Sequence, residues 1–548
     1  MKTNASCSSI ESLESRIAPA AVTINAALKS ATWTDFDGDL VTLKYSTAAP
    51  EFGTTDQGAG LRVDYISLTA AANSMESFVL TVKAGPTGDG HVDLGRIAAM
   101  GVPLKSWSSP TASIAEFDCG NGTIGIGTLT TGTLGSSLVS QFSNTGGEGV
   151  SAISGTVSTV DIRGDVAGTT LFLPAAGKMK SLKISGSLRG TDVSVSGQSS
   201  GHVAIVASEV KAISIGGSII GGDSQNDGHL VVVGAVGTLT IKGGIRGGSG
   251  LDTGTVVANA KAVSIGGDIV GGSEIGTGTL SLADVKTLTI GGSIEGGTEA
   301  QAGNVLLGSA GTVKIKGNIE GRLQTSATQA GQVGTFSASG DVGSLSVDGG
   351  LIAGTFGSGV AQPYNGAILV GGNLGSLTIG GEISGNNNTK AFILAKGSAP
   401  ATAGNYQAIG KLAVGGSVSY AYIASGHAKD LTAGNSVGAA ENPDAGIGRV
   451  TVGGNWFHSN LTAGVNDANS TGFSSGDTHS LGDVSRQAVL GPIVIKGQAL
   501  DSAAAPGFSG FGAERIASII AGGVKLFKTG DANRSLDAAG FVDIVEFA

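Results

Sequence analysis

Glycine fills 95 of the 548 positions, more than twice its usual share of about 7 %, while charged residues make up 14 % and aromatics 5 %. Only 11 prolines and no strict Gly-X-Y period exclude collagen, and 40 % hydrophobic residues with little charge exclude the disordered class. A net charge of −10 excludes the basic stripe that a nucleic-acid partner needs, and apolar runs such as 230–241 are too short and too glycine-broken for a transmembrane segment.

Residues 1–21 read as an N-terminal leader or export segment of unusual form. Lys2 is the one early basic residue, and Glu11 and Glu14 stand where a secretory signal has its apolar run. Small residues around Ala18, Pro19 and Ala20 would suit cleavage. With Cys7 there and Cys119 far along, the two cysteines imply no disulfide framework.

The string D-F-D-G-D-L follows at 35–40. Asp37-Gly38 is a strong hairpin turn signal, joining strands around 32–35 and 40–45. Asp35, Asp37 and Asp39 also invite a structural Ca2+ reading, but an EF-type loop wants glycine at position 6 and Glu at 12. Here glycine stands at position 4 and Ser46 at 12, so the turn is the primary reading and the cation the secondary one.

Three strings now line up: I-E-S-L-E-S-R-I-A-P-A at 10–20, the D-F-D-G-D hairpin, and G-D-G-H-V-D-L-G-R-I-A-A-M-G at 88–101. Together they resemble large glycine-rich secreted or surface bacterial β-solenoid proteins, which carry an L-E-x-R-x-A leader and a D-x-D-G-D hairpin. Pro103 and Leu104 depart from the more polar dipeptide of that pattern. The resemblance implies an exported, surface-associated solenoid and brings no catalytic residues with it.

A repeat dominates the rest. VKTLTIGGSIEGG (285–297) recurs as VKAISIGGSIIGG (210–222), VGTLTIKGGIRGG (236–248) and AKAVSIGGDIVGG (260–272), with looser copies from 157 to 502. Anchors at Leu239, Val263, Leu288 and Val313 are 24, 25 and 25 residues apart. The series continues to an anchor at Leu412, and degenerate copies add anchors at Leu431, Val450 and Ile493. Within a copy the apolar residues alternate with period two, which is a strand pattern. A second short strand precedes each anchor, as at 280–282 and 305–307. Two or three short strands per coil describe a parallel β-solenoid whose aliphatic side chains stack into one narrow core.

The expected fold is therefore all-β: a right-handed parallel β-helix with a β-rich N-terminal cap and a short C-terminal cap. Its expected divisions are a leader at 1–21, a hairpin-rich cap at 22–90, a solenoid of 19–35-residue coils at 91–505 and a cap at 506–548. The stretch 514–521 fits helix or strand equally.

Catalytic signals are sparse. GGSGLDTGT (247–255) partly matches a calcium-binding nonapeptide, but Gly254 stands where a large apolar residue belongs. GQSSG (197–201) and GFSSG (472–476) match G-x-S-x-G without the strand–turn–helix context of a nucleophile elbow. The six histidines show no metal-ligand spacing; His202 and His229 both open a strand and could stack at an exposed corner. The outward residue between the anchors is Ser214, Thr240, Ser264, Thr289, Lys314, Ser346 and Thr378, a hydroxyl-rich column.

The expected function is a non-enzymatic structural or adhesive protein, extracellular or on the cell surface, with polysaccharide or matrix components as partners. A polysaccharide lyase or glycoside hydrolase is the alternative, because insertions at 191–202, 354–366, 386–406 and 460–488 could wall a groove. Asp467, Asp477, His479 and Asp483 are the polar cluster such an enzyme would use. An ice- or mineral-binding Ser/Thr face is a further, minor alternative.

Overall fold

The computed structural model describes residues 21–58, 60–135, 149–174, 176–190, 200–323, 332–355, 364–398, 406–428, 439–466, 477–479, 482, 485–500, 509–535 and 542–547. Strands account for nearly all regular structure in them, and the one helical element is a single turn at Ala70–Asn73. No described helix is long and apolar enough to cross a membrane.

Each coil runs through three short strands. In Val285–Ile290 the residues Val285, Leu288 and Ile290 are buried, while Lys286 and Thr287 are exposed. Gly291 and Gly292 turn the chain into Ile294–Glu295, a wider corner follows, and Val305–Leu307 is the third strand. Ala310–Ile315 then opens the next coil, directly beside the first.

Parallel, in-register pairing carries this arrangement along the chain. Leu239, Val263, Leu288 and Val313 are consecutive partners in one file. That file runs unbroken from Phe78, Trp107 and Leu129 through Leu182 and Leu377 to Ile493 and Ile519. A second file extends from Val63 through Leu188 and Ile294 to Trp456 and Ala499. A third joins Leu171 to Phe511 and Ile544. The fold is a three-sided parallel β-helix. At about 4.8 Å per layer the first file alone spans roughly 70 Å.

Aliphatic side chains from the three files meet in one continuous core, each contributing roughly 1.5–3 kcal/mol on full burial. Rings are few in this core, and Phe336 stands in register between Val305 and Ile368. Phe78, Trp107 and Phe117 pack together near the N-terminal end, and Trp456 packs on Phe511 near the other. A smaller apolar cluster, with Tyr364, Leu369, Phe392 and Tyr422, lies outside the main core on the third sheet.

Glycine serves the two corners differently. At Gly291 the backbone angle is ordinary, but a Cβ would lie 2.2 Å from the Gly266 carbonyl oxygen of the coil below. At Gly278 φ is +62°, and a Cβ would lie 2.0 Å from the Val270 carbonyl oxygen. One corner needs clearance; the other needs the left-handed region as well.

The residue after the glycine pair supplies a polar ladder. Ser293 N–H donates to Asp268 Oδ1 (2.9 Å), Asn318 N–H to Ser293 Oγ (3.0 Å), and Gly350 N–H to Asn318 Oδ1 (2.9 Å). Ser187 on Asp165 and Ser218 on Ser187 repeat the pattern. Where this position carries Asp, Ser or Asn, a coil thus caps a turn N–H of the next, the role short polar side chains play best, and the ladder pauses at Gly244 and Gly350.

The ends differ from the middle and from the expected boundaries. Parallel pairing begins with Leu61–Ser67 and Glu76–Lys83, well before residue 91. Glu76–Lys83 also pairs antiparallel with Leu40–Lys44, which pairs with Ser30–Thr34, so the N-terminal cap is an antiparallel sheet continuous with the helix. At the other end Arg515–Ala521 is a strand, parallel to Val489–Ile495 and past residue 505. Val524–Lys528 folds back antiparallel and places Phe527 against Ile519. The count of coils is also corrected. Leu412 pairs directly with Val450, so the copy at 428–440 contributes no rung between them; Leu431 itself lies outside the described residues.

Leu288 is 1 % exposed, and Leu288→Asp would bury a charge with no partner. We expect a loss of about 3–5 kcal/mol, read as a lowered denaturant midpoint with the far-ultraviolet β signature retained at low temperature. A loss below about 1 kcal/mol, the range of a surface substitution, would place Leu288 outside the core.

Candidate functional site

The regular coils present their first sheet to solvent as two aligned columns. One column follows Asp161, Lys183, Ser214, Thr240, Ser264, Thr289, Lys314, Ser346 and Thr378 in strict register. Two residues earlier a parallel column carries Thr159, Ser181, Ala212, Thr238, Ala262, Thr287, Thr312, Ser344 and Ser376. The sequence named the first column; the second is equally regular. Lysines in the plane are tied to carboxylates, Lys183 to Asp161 at 3.4 Å and Lys314 to Asp348 at 3.2 Å.

The acidic string of the N-terminal hairpin forms a compact cluster. Asp35 N–H donates to the Asp39 carbonyl (3.0 Å), closing the turn that the sequence anticipates at Asp37-Gly38. Asp35 Oδ1 accepts from the N–H groups of Gly38 (3.1 Å) and Asp39 (2.7 Å). Asp39 Oδ1 and Oδ2 accept from Gly85 (2.8 Å) and Gly90 (2.6 Å), on a loop some 46–51 residues away. One oxygen from each of Asp35, Asp37 and Asp39 lies within 4.8 Å of the other two. Among the described residues this is the one such trio of acidic, histidine or cysteine side chains.

Two of the three are shielded, and Asp37 is half-buried. Asp35 is 2 % and Asp39 0 % exposed. Burial pushes the Asp35 carboxyl up to about 7, helped by the hydrogen bond with Asp37. That same bond holds the Asp37 carboxyl below its usual range. Buried carboxylates elsewhere are balanced. Arg96 pairs with Asp118 at 2.7 Å, and Glu116 and Asp118 accept from Gly149 and Ala152 N–H; Glu76 accepts from Ser46, Thr47 and Asn73.

The other sequence candidates resolve as structure. GGSGLDTGT is a corner: Thr253 Oγ1 accepts from Gly248 N–H and donates to the Gly250 carbonyl, both at 2.9 Å. Thr277 does the same with Gly272 and Glu274 one coil later, so this is the repeat's own turn. Ser199, the central serine of GQSSG, and all of 472–476 lie outside the described residues, as does Cys7. Cys119 is buried, and burial raises its thiol pKa. Asp467 and Asp483 lie outside the described residues too. His479 Nε2 stands 4.0 Å from Glu514 Oε2, a partner distant in sequence, and Asp477 is buried. A shallow groove across the third sheet is lined by Leu306, Ser337, Leu369 and neighbours and carries no titratable side chain in its wall.

His202 and His229 do stack, at 5.2 Å and 14° between planes, but largely buried rather than at an exposed corner. His229 engages neither ring nitrogen in a hydrogen bond. Their strands run in adjacent coils, so the rings inherit the layer spacing.

No family model, curated protein or solved structure compared with the chain matches it.

Burial, and secondly the charge of His202, lower the His229 pKa from 6.5 to about 4. The unfolded chain then binds the proton more readily between those values, so stability is full above pH 6.5 and falls as pH drops toward 4. The expected loss is on the order of 1–3 kcal/mol. Denaturation midpoints of the parent and His229→Gln across pH 4–7.5 check this: the substitution should flatten the acid limb, and an unchanged limb would assign the loss to other groups.

Proposed function

We propose that this chain is a non-enzymatic structural or adhesive protein of the cell surface or extracellular matrix, acting as a rigid rod. The observation that supports the reading best is the register of the two hydroxyl columns. Strict coil-on-coil pairing stacks Ser and Thr hydroxyls at about 4.8 Å along the axis, interrupted by Lys183 and Lys314 in one column and Ala212 and Ala262 in the other. Each hydroxyl offers one weak hydrogen bond to a carbohydrate or similar polymer. A rod that offers many at once binds by effective concentration, with no single strong contact required. Polysaccharide or matrix components are the partners that chemistry suits. The leader and hairpin resemblance supports an exported location.

Two measurements test this. Fractionation with antibodies should find the protein at the surface or in the matrix; recovery only from cytosol, with residues 1–21 intact, would refute export. A glycan array should show weak binding that grows with oligosaccharide length, and a reducing-sugar assay on the bound glycans should show no release. Clear turnover of any polysaccharide would overturn the non-enzymatic reading.

A further inference from the structure

We propose that Asp35, Asp37 and Asp39 bind one Ca2+ ion that clasps the N-terminal hairpin to the loop at 84–90. Proximity of carboxylates alone would not carry this. The second observation is that Asp35, itself 2 % exposed, keeps a buried Oδ2 that, like Asp37 Oδ1, receives no hydrogen bond from any group outside the trio. Asp35 has its other oxygen saturated by the turn, and both Asp39 oxygens are engaged by the loop. The open oxygens therefore belong to the two carboxylates that face each other.

No lysine, arginine or histidine among the described residues forms an ion pair with any of the three. The surrounding charge makes matters worse. Asp93 lies close enough to feel both Asp89 and Asp37, with His91 as the one opposing group. An unpaired carboxylate pair at this burial is strongly disfavoured. A hard divalent cation relieves it directly.

Ca2+ suits the spacing and the donor type. It takes carboxylate and carbonyl oxygens at about 2.3–2.6 Å in flexible geometry. Two oxygens on opposite sides of the ion then stand up to about 5 Å apart, which covers the separations in the trio. The enclosure is built from glycine. A Cβ at Gly88 would fall 1.5 Å from Asp39 Oδ1, and one at Gly60 1.7 Å from the Asp35 carbonyl oxygen. The Thr87 hydroxyl donates to the Asp37 carbonyl, adding a neutral tie between hairpin and loop.

The test is a calorimetric titration of the full chain with CaCl2 after chelator treatment, paired with thermal denaturation in Ca2+, Mg2+ or EDTA. The expected result is one saturable site per chain, a rise of several degrees in the first transition with Ca2+, and a smaller rise with Mg2+. Asp37→Asn is the informative variant, because Asn-Gly keeps the preferred hairpin turn while replacing a charged carboxylate ligand by a neutral, weaker amide oxygen. It should fold, lose the calorimetric signal and lose the Ca2+-dependent rise. Asp268→Asn, in the polar turn ladder, should keep both. No heat and no shift up to about 10 mM Ca2+, ten times the weakest extracellular sites, would overturn the proposal. So would equal stabilisation by Asp37→Asn with and without Ca2+ alongside a parent unresponsive to Ca2+, which would mean that Asp35 and Asp37 share a proton instead. The outcome is independent of whether the rod binds glycans.

Discussion

Every layer of this molecule hydrogen-bonds through its backbone to the layers above and below, and that one spacing governs the rest. At about 4.8 Å between strands, each residue sits directly over its equivalent in the next coil. An inward position in the regular coils is then aliphatic layer after layer, as Leu239, Val263, Leu288 and Val313 are. The second corner position sheds its Cβ in successive coils, as at Gly243, Gly267, Gly292 and Gly317, while the first takes Gly266 or Gly291 in some coils and Lys242 or Lys316 in others. The abundance of glycine and the scarcity of rings follow from the same geometry. The ring clusters of the core lie near the ends, Phe78 with Trp107 at one and Trp456 with Phe511 at the other, while Phe336 is the ring that the main core holds midway.

The same constraint decides what the few charged residues do. Turn N–H groups that point along the axis cannot all find backbone partners, so short side chains take over from coil to coil. Asp165, Asp268, Asp284 and Asp341 each accept an N–H from the following coil. Carboxylates spent this way are half-exposed, as Asp165 and Asp268 are, or exposed, as Asp284 and Asp341 are, and each already accepts a backbone N–H. They are poor material for a catalytic pair, which needs two carboxyl groups facing a common substrate. The acidic hairpin is the exception because it stands outside the repeat, in the antiparallel cap, with no coil beneath it to supply donors.

Sequence pattern revealed the repeating part of the fold because repetition is what pattern detects. The period-two alternation in 285–290 gave strand, and the recurring anchors gave parallel stacking. It fell short where a layer keeps the geometry but loses the motif. Phe78, Trp107 and Leu129 are rungs of the first file without a glycine pair after them, and Ile519 continues the file after a stretch that fits helix as well as strand. The reverse error arose at 428–440, where the motif survives and the rung does not. The trio at 35–39 was visible as a string, but its burial was not. That depends on Gly85 and Gly90, brought over Asp39 by the strand Glu76–Lys83. Likewise the approach of His479 to Glu514 joins positions 35 residues apart and was not legible in the string.

A stack of identical layers has no intrinsic reason to stop, and its end strands would otherwise offer unpaired backbone groups to another chain. Both ends here change direction instead: antiparallel strands cover the first parallel layers, and Val524–Lys528 folds back over the last. Antiparallel caps cannot borrow the repeat's way of satisfying polar groups, because nothing lies in register above them. Each cap must be held by interactions found nowhere else in the chain. At the C-terminal end they combine Phe527 paired with Ile519 and polar ties, Glu546 accepting from Ile516 N–H and Asn533 bonding the backbone of Glu546. At the N-terminal end they are polar, with Glu76 gathering the N–H groups of Ser46 and Thr47 and Asp39 gathering those of Gly85 and Gly90. Chemistry specific enough to bind one ion is therefore expected at the cap. The sides of the rod, where one residue type recurs in every layer, suit contacts that are weak, numerous and alike.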